Sequence, residues 1–362
     1  MLPFLNRGIQ RLNQLEKYPL AARSLARFRQ FIAAAAPHEL YRVNPRYLAE
    51  KLAWGQNETL DMLTYAAAED LWRLHWEAYC PACGGLLDST EHLGDLQAHQ
   101  HCQACNWRGA IALDQEVIVD ASLNEQVRRL PRRERENPAF QRAVEERLGR
   151  MPALALINRP LFRELLGDQT LPPNQALGVQ RLVIFFSDLK GSTAMYERLG
   201  DAEAYRVVNE HFQVLFAAVE EAGGAAVKTM GDGVMGTFFD AQAALKGIAG
   251  SMRGIRALNE RLGLRGDDAL RLKVGLHSGA CIVVTLNHRL DYFGTTVNVA
   301  ARLSDLSQGD DVVVSAAVLE DMNARQTIHT LGEIHPLEAS IRGLSRPLNV
   351  YRLRVGEGEG GR

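Results

Sequence analysis

No run of 18 consecutive apolar residues occurs in the 362-residue sequence, so none of it reads as a membrane-spanning helix. The apolar stretch in M-L-P-F-L-N-R is too short for the hydrophobic segment of a signal peptide, and the expected location is the cytoplasm. Charge of one sign is not in excess either. The 41 Lys and Arg stand against 43 Asp and Glu, which excludes a global field recruiting nucleic acid or anionic lipid. Cysteine is scarce, and four of the five sit in two C-x-x-C pairs. That points to metal ligation in a reducing compartment rather than to disulfides. What remains, 46% hydrophobic and 23% charged residues, is ordinary globular composition, with length for two or three domains.

Residues 1–43 are helix-prone with only loosely periodic leucines and phenylalanines. Over 44–77 the pattern sharpens. Asn44 is a good N-cap for a helix over 45–52, Gly55-Gln56-Asn57 is a turn, and Leu60, Leu63 and Ala67 mark a second helix over 58–71. Residues 71–76 then alternate like a strand. Helix, turn, helix, strand resembles a winged helix-turn-helix and raises DNA binding. The second helix opposes it: residues 57–72 carry Glu58, Asp61, Glu69 and Asp70 and no Lys or Arg, and such a helix repels phosphate. Nucleic acid is therefore not the expected partner, and a packing or partner-binding role is.

Cys80-Pro81-Ala82-Cys83 and Cys102-Gln103-Ala104-Cys105 are separated by 18 residues, within the zinc-ribbon range. Four thiolates close a tetrahedral shell, so the expectation over 78–120 is one structural Zn²⁺ on Cys80, Cys83, Cys102 and Cys105. His92, His99 and His101 lie between the pairs as possible replacements for one Cys. Residues 110–120 look like a strand that completes the ribbon or leads out of it. Residues 121–178 hold a basic run and six prolines between 131 and 173, and read as a linker or transmitter ending at Pro172-Pro173-Asn174.

From 179 to 355 strands and helices alternate, and a β-α-β-β-α-β core predicts an α+β domain, an antiparallel sheet with helices on one face. Strands are expected over 182–186, 270–277, 280–286, 311–315 and 348–353, and a helix over 201–222 with Tyr205, Val208, Phe212, Leu215, Phe216 and Val219 on its apolar face. Residues 227–239, V-K-T-M-G-D-G-V-M-G-T-F-F, form a hairpin with Asp232 at its tip. Residues 181–193, R-L-V-I-F-F-S-D-L-K-G-S-T, form a buried strand that ends on Asp188 and enters Gly191-Ser192-Thr193 ahead of a helix. Two carboxylates at strand ends, one beside a small-residue turn at a helix N-terminus, are what a divalent-metal and phosphate site requires.

These two motifs, with V-G-L-H-S-G and L-D-Y-F-G-T-T-V-N-V-A-A-R-L, resemble the class III nucleotidyl cyclase catalytic domain, which is ferredoxin-like. Residues 44–113 resemble the winged-helix-plus-ribbon region that precedes this domain in some bacterial signalling enzymes. The resemblance implies that Asp188 and Asp232 hold two Mg²⁺ or Mn²⁺ ions and that Gly191, Ser192 and Thr193 cradle phosphate. It implies that Asn298 orients the ribose, Arg302 stabilises the pentacovalent phosphate, and Arg342 takes the place of a Lys on the terminal phosphates.

Lys228 and Asp291 match the family's base-reading pair. Lys only donates and an ionised Asp only accepts, which suits N1 and N6 of adenine and mismatches guanine at both contacts. ATP is therefore the expected substrate, converted to 3′,5′-cyclic AMP and pyrophosphate. Lys228 and Asp232 stand four residues apart, roughly 13 Å if extended, which fits a head-to-tail homodimer with shared sites. The N-terminal module would then regulate the dimer, and residues 356–362 are expected to be a flexible tail. Two other readings stand beside this one: a nucleic-acid- or partner-binding regulator, and a catalytically silent homologue.

Overall fold

Proline, which marks 121–178 as a linker, starts helices there instead. In the computed structural model, which describes residues 10–167, 171, 175–286 and 289–356, Pro138 and Pro160 open helices and Pro152 precedes another. Residues 1–9, Pro172-Pro173-Asn174 and the tail from 357 lie outside the described residues. The chain divides into two units, residues 1–179 with 283–291 and residues 180–282 with 292–362.

The first unit contains α1 (Ala22–Ala34), α2 (Pro45–Leu52), α3 (Gln56–Ala68), β1 (Trp72–Tyr79), β2 (Leu86–Thr90), β3 (His99–His101), β4 (Arg108–Ala110) and β5 (Val117–Leu123). There follow α4 (Arg132–Arg135), α5 (Pro138–Leu148), α6 (Ala153–Ile157) and α7 (Pro160–Leu165). Asn44 caps α2 as expected, its Oδ1 accepting from the Arg46 amide at 2.9 Å. β1 is the middle strand of an antiparallel sheet, between β2 and β5. The strand expected over 110–120 to complete the ribbon or lead out of it is thus two pieces: β4 pairs with β3, and β5 leads out into the β1 sheet.

On one face of β1 Trp72, Leu74, Trp76 and Ala78 are buried, and Trp76 meets Phe162 of α7 edge-on. All five residues of α6 are buried too, so the supposed linker supplies core. α3 buries Thr59, Leu60, Met62, Leu63, Thr64, Tyr65 and Ala66. Its Asp61 accepts from Arg159 Nε and Nη2, at 2.9 and 2.6 Å. The side of α3 left at the surface, Gln56 and Glu58 exposed with Asn57 and Asp61 partly so, carries acids and no Lys or Arg.

The second unit is built on β6 (Ala176–Leu189, in this unit from Gln180), α8 (Ser192–Leu199), α9 (Asp201–Glu221), β7 (Ala225–Met230), β8 (Gly233–Phe238), α10 (Ala241–Leu262) and β9 (Leu272–Leu286, in this unit to Ile282). β10 (Arg289–Phe293), α11 (Thr295–Leu306), β11 (Asp311–Ser315), α12 (Met322–Leu331), β12 (Gly332–Ala339) and β13 (Leu348–Val355) complete it. The strand order is β12-β13-β11-β9-β6-β8-β7, with β10 paired to β9. The expected all-antiparallel sheet is in fact mixed, because β11 runs parallel to β9.

Helices also cover both faces, not one. Val312 and Val314 face a core shared with α9, α10 and α12, whereas Val313 packs with Val299 and Leu303 of α11. Gly275 of β9 makes that second contact possible: a Cβ there would lie 2.2 Å from the Ser304 nitrogen and 2.6 Å from the Ala300 oxygen. β9 is one strand where two were expected. Gly279, between the two expected ranges, lies within it against Thr296, whose Oγ1 a Cβ would approach to 2.7 Å. On α9 the buried stripe is Ala204, Val207, Val208, His211, Leu215 and Val219, so the expected Tyr205 is displaced to the surface, 68% exposed.

Candidate active site and metal centre

β6 and β8 are antiparallel neighbours, with Ser187 opposite Val234. Asp188 therefore leaves β6 beside the β7–β8 turn that carries Asp232. The Leu189 amide donates to Asp232 Oδ2 at 3.2 Å, and the two carboxyl groups are within hydrogen-bonding reach of each other. Burial, then the Asp232 charge, hold the Asp188 carboxyl above its ordinary range, against a smaller opposing pull from Lys273. Two half-buried acids in contact are an arrangement that a divalent cation relieves, since it removes the repulsion and repays the lost hydration. Gly233 lets the β7–β8 turn close onto the end of β6: a Cβ there would come within 2.7 Å of the Ser187 carbonyl oxygen.

Val183, Phe185 and Leu189 of β6 point to the α9–α10 core, so Asp188 takes the alternate face. Gly191 turns the chain with φ 76° and stands at the N-cap of α8; no side chain caps that helix, and its first amides are left for another acceptor. Gly191 and Thr193 are exposed and Ser192 partly so.

Asn298 and Arg302 leave α11 on one exposed face, four residues apart. Together with Arg342 they line a groove of about 620 Å³, closed on its other side by Ile341, Gly343 and Leu344. Among the described residues Arg302 pairs with Asp305, at 3.4 Å on the surface. Three expected phosphate and ribose contacts thus meet in one place. Neither Asp188 nor Asp232 lines that groove, and neither Lys228 nor Asp291 does. Lys228 is exposed on β7, the strand at the end of the sheet order, and Asp291 lies on β10.

Sequence reasoning passed over Lys273 and His211. His211 is fully buried on α9; burial lowers its pKa, while the Val208 carbonyl and the Asp232 charge act the other way. In V-G-L-H-S-G, His277 bonds Ser315 Oγ at 2.7 Å and is pushed down to about 4 by burial. Cys281 is buried.

In the first unit, Cys80, Cys83, Cys102 and Cys105 place all four sulfurs within 4.8 Å of one another. Cys80 Sγ lies 3.6 Å from Cys105 Sγ, and Cys83 Sγ 3.7 Å from Cys102 Sγ. A tetrahedron with Zn–S bonds of about 2.3 Å has edges of roughly 3.8 Å, so the sulfurs stand at zinc-ligand spacing. Both knuckles are drawn alike. The Gly84 amide donates to the Cys80 carbonyl and the Asn106 amide to the Cys102 carbonyl, each at 2.8 Å, with Gly84 and Asn106 both left-handed. Amides of Cys105 and Ala104 help bring the Cys102 thiol down to about 7. His101, a possible substitute ligand, instead bonds Asn106.

Residues 175–346 match the family described as Adenylate and Guanylate cyclase catalytic domain, and residues 10–143 match a family of unknown function, DUF5939. Among curated proteins, the adenylate cyclase of Anabaena cylindrica is 24% identical over 192 residues, 50% of this chain and 38% of that one. Adenylate cyclase 2 of Rhizobium meliloti is 27% identical over 213 residues, 56% of each chain. This chain therefore spans about half the length of these relatives or less. Among solved structures, the guanylyl cyclase Cya2 covers 52% of this chain and 98% of its own, at 24% identity and a TM-score of 0.44. Among the described residues no helix is long and apolar enough to cross a membrane.

Proposed function

From the premise that residues 175–346 are an adenylate and guanylate cyclase catalytic domain, we propose that the chain is an adenylate cyclase. It would convert ATP to 3′,5′-cyclic AMP and pyrophosphate at sites shared by two copies in a head-to-tail homodimer. The observation that carries this reading is the separation of two complementary half-sites. The Asp188–Asp232 pair sits at the β6 and β7–β8 strand ends, and Asn298, Arg302 and Arg342 converge in a groove that contains neither acid.

In this reading Asp188 and Asp232 hold two Mg²⁺ or Mn²⁺ ions, which when bound acidify the ribose 3′-hydroxyl and neutralise the triphosphate. The amides at Gly191, Ser192 and Thr193 receive phosphate oxygens at the start of α8. From the facing copy, Asn298 fixes the ribose and Arg302 offers its planar fork to charge building on the α-phosphate in the transition state. Arg342, on the far wall of that groove, takes terminal phosphate oxygens. Lys228 donates to adenine N1 and Asp291 accepts from N6, which favours ATP over GTP. The zinc-ligand spacing of Cys80, Cys83, Cys102 and Cys105 supports one structural Zn²⁺ per chain, and the N-terminal unit serves as the regulatory part.

The test is cyclic product and pyrophosphate formed from ATP or GTP with Mn²⁺, first by the unaltered chain and then by Asp188→Ala and Arg302→Ala separately and mixed. Each variant alone should be inactive. A freely exchanging equal mixture is half heterodimer with one intact site of two, so about a quarter of the unaltered activity should return. No recovery in an exchanged mixture refutes shared sites, and no product from either nucleotide refutes the enzyme.

A further inference from the structure

The second face of the β1 sheet in the N-terminal unit is polar and yet covered. His75, Glu77, Asp120 and Ser122 are each only 6% to 7% exposed, with His75 directly across from Asp120 in the β1–β5 register. Three of the four are matched. Arg42 grips Glu77, the Tyr79 hydroxyl donates to Glu77 at 2.6 Å, and His75 Nε2 lies 2.8 Å from Ser122 Oγ. Asp120 is different: its Oδ1 is buried with no hydrogen-bond partner. Folded proteins rarely leave a buried carboxyl oxygen unmatched, because the lost hydration is not replaced.

Asp120 lines a cavity of about 340 Å³, bounded also by Tyr47, Tyr79, Phe140, Val144 and Met151. That size falls within the range of small-molecule pockets. The other charges on its wall cancel locally: Glu77 against Arg42, and Glu145 against Arg150, whose Nε is 2.9 Å away. Among the described residues Asp120 has no ion pair of its own: Arg42, which pulls on it, is already bonded to Glu77, and Glu145 repels it. A buried acid calls for a cationic donor. Arg150 already lies over the Tyr79 ring and Lys51 over the Tyr47 ring, so the three rings serve as apolar wall for the ligand's body rather than as seats for its charge.

We propose that this cavity binds a small primary amine with an apolar body, its ammonium donating to Asp120 and its body lying against the aromatic and aliphatic wall. A neutral donor would satisfy the oxygen but not the charge, and an anion would meet Asp120 with the wrong sign. Nothing in this reading depends on the catalytic unit.

The test is calorimetry and ligand-observed NMR on the full chain with phenethylamine, 2-phenylethanol and phenylacetate, which share a body and differ in head group. A fragment of this size is expected to bind with Kd on the order of 1 mM. Phenethylamine should bind saturably, the alcohol at least about tenfold more weakly, and the acid not at all. Asp120→Asn should weaken phenethylamine at least about tenfold. Gln141→Trp, which fills the cavity from α5, should abolish binding with the carboxyl intact. Equal binding of alcohol and amine, unchanged binding by Asp120→Asn, or no saturable binding up to about 10 mM would each overturn the proposal and leave a water-filled cavity.

Discussion

Gly275→Ala isolates how Asn298 and Arg302 are held in place. The new Cβ would stand 2.2 Å from the Ser304 nitrogen, 2.6 Å from the Ala300 oxygen and 2.6 Å from the Leu303 carbonyl carbon. All three are backbone atoms of α11, so no rotamer change relieves the clash. Restoring contact near 3.5 Å requires α11 to lift from β9 by roughly 1 Å. Such overpacking costs about 1–3 kcal/mol, which a domain of this size survives with a lowered melting temperature. The rate is the sensitive quantity. A misplacement of about 1 Å costs on the order of 100-fold when the displaced groups act on the transition state. If the chain turns over ATP as proposed, the variant should therefore fold, melt earlier and lose kcat about 100-fold, with KM for ATP changed by no more than about threefold. Cyclase kinetics alongside a thermal melt read both quantities. Gly279→Ala, which meets only the Thr296 side chain, is the milder control. A Gly275→Ala enzyme that melts early but keeps kcat within about threefold of the original would refute the placement of catalytic groups on α11.

Asp120 gives a pH signature in the other unit. Burial pushes its carboxyl from 3.8 up to about 7, so between those values the folded chain binds more protons than the unfolded one and stability falls as pH rises. The loss is complete above about 7 and amounts to about 2–4 kcal/mol. Asp120→Asn should therefore gain stability at pH 8 and little or none near pH 4 in urea melts; an equal gain at both would mean the charge is not its source. Zinc content supplies a third check. The purified chain should carry about one Zn²⁺, and a strong chelator should unravel β3, β4 and their knuckles first, as lost amide-exchange protection around 80–110. A fully protected ribbon after complete metal removal would show that the four sulfurs do not staple it.

Asp188 and Asp232 were legible because each signal is local: an apolar strand stopping on an acid, and an acid between two turn glycines. The four Cys were legible through spacing alone. What escaped depends on partners distant in sequence. Lys273 matters only because β9 brings it near Asp188, and Asp120 only because β5 returns alongside β1. The side of the sheet taken by α11 was hidden by D-V-V-V-S in β11, where every residue is buried and alternation says nothing. The prolines of 121–178 were ambiguous for a different reason, since the residue that breaks a helix interior also begins one.

The groove that holds Asn298, Arg302 and Arg342 without either aspartate has a consequence for how output scales. If each chain carries two halves that only a neighbour completes, turnover per molecule fades on dilution, and total rate climbs with the square of protein concentration until dimers saturate. Expression level would then set the signal more steeply than in proportion, before any effector arrives.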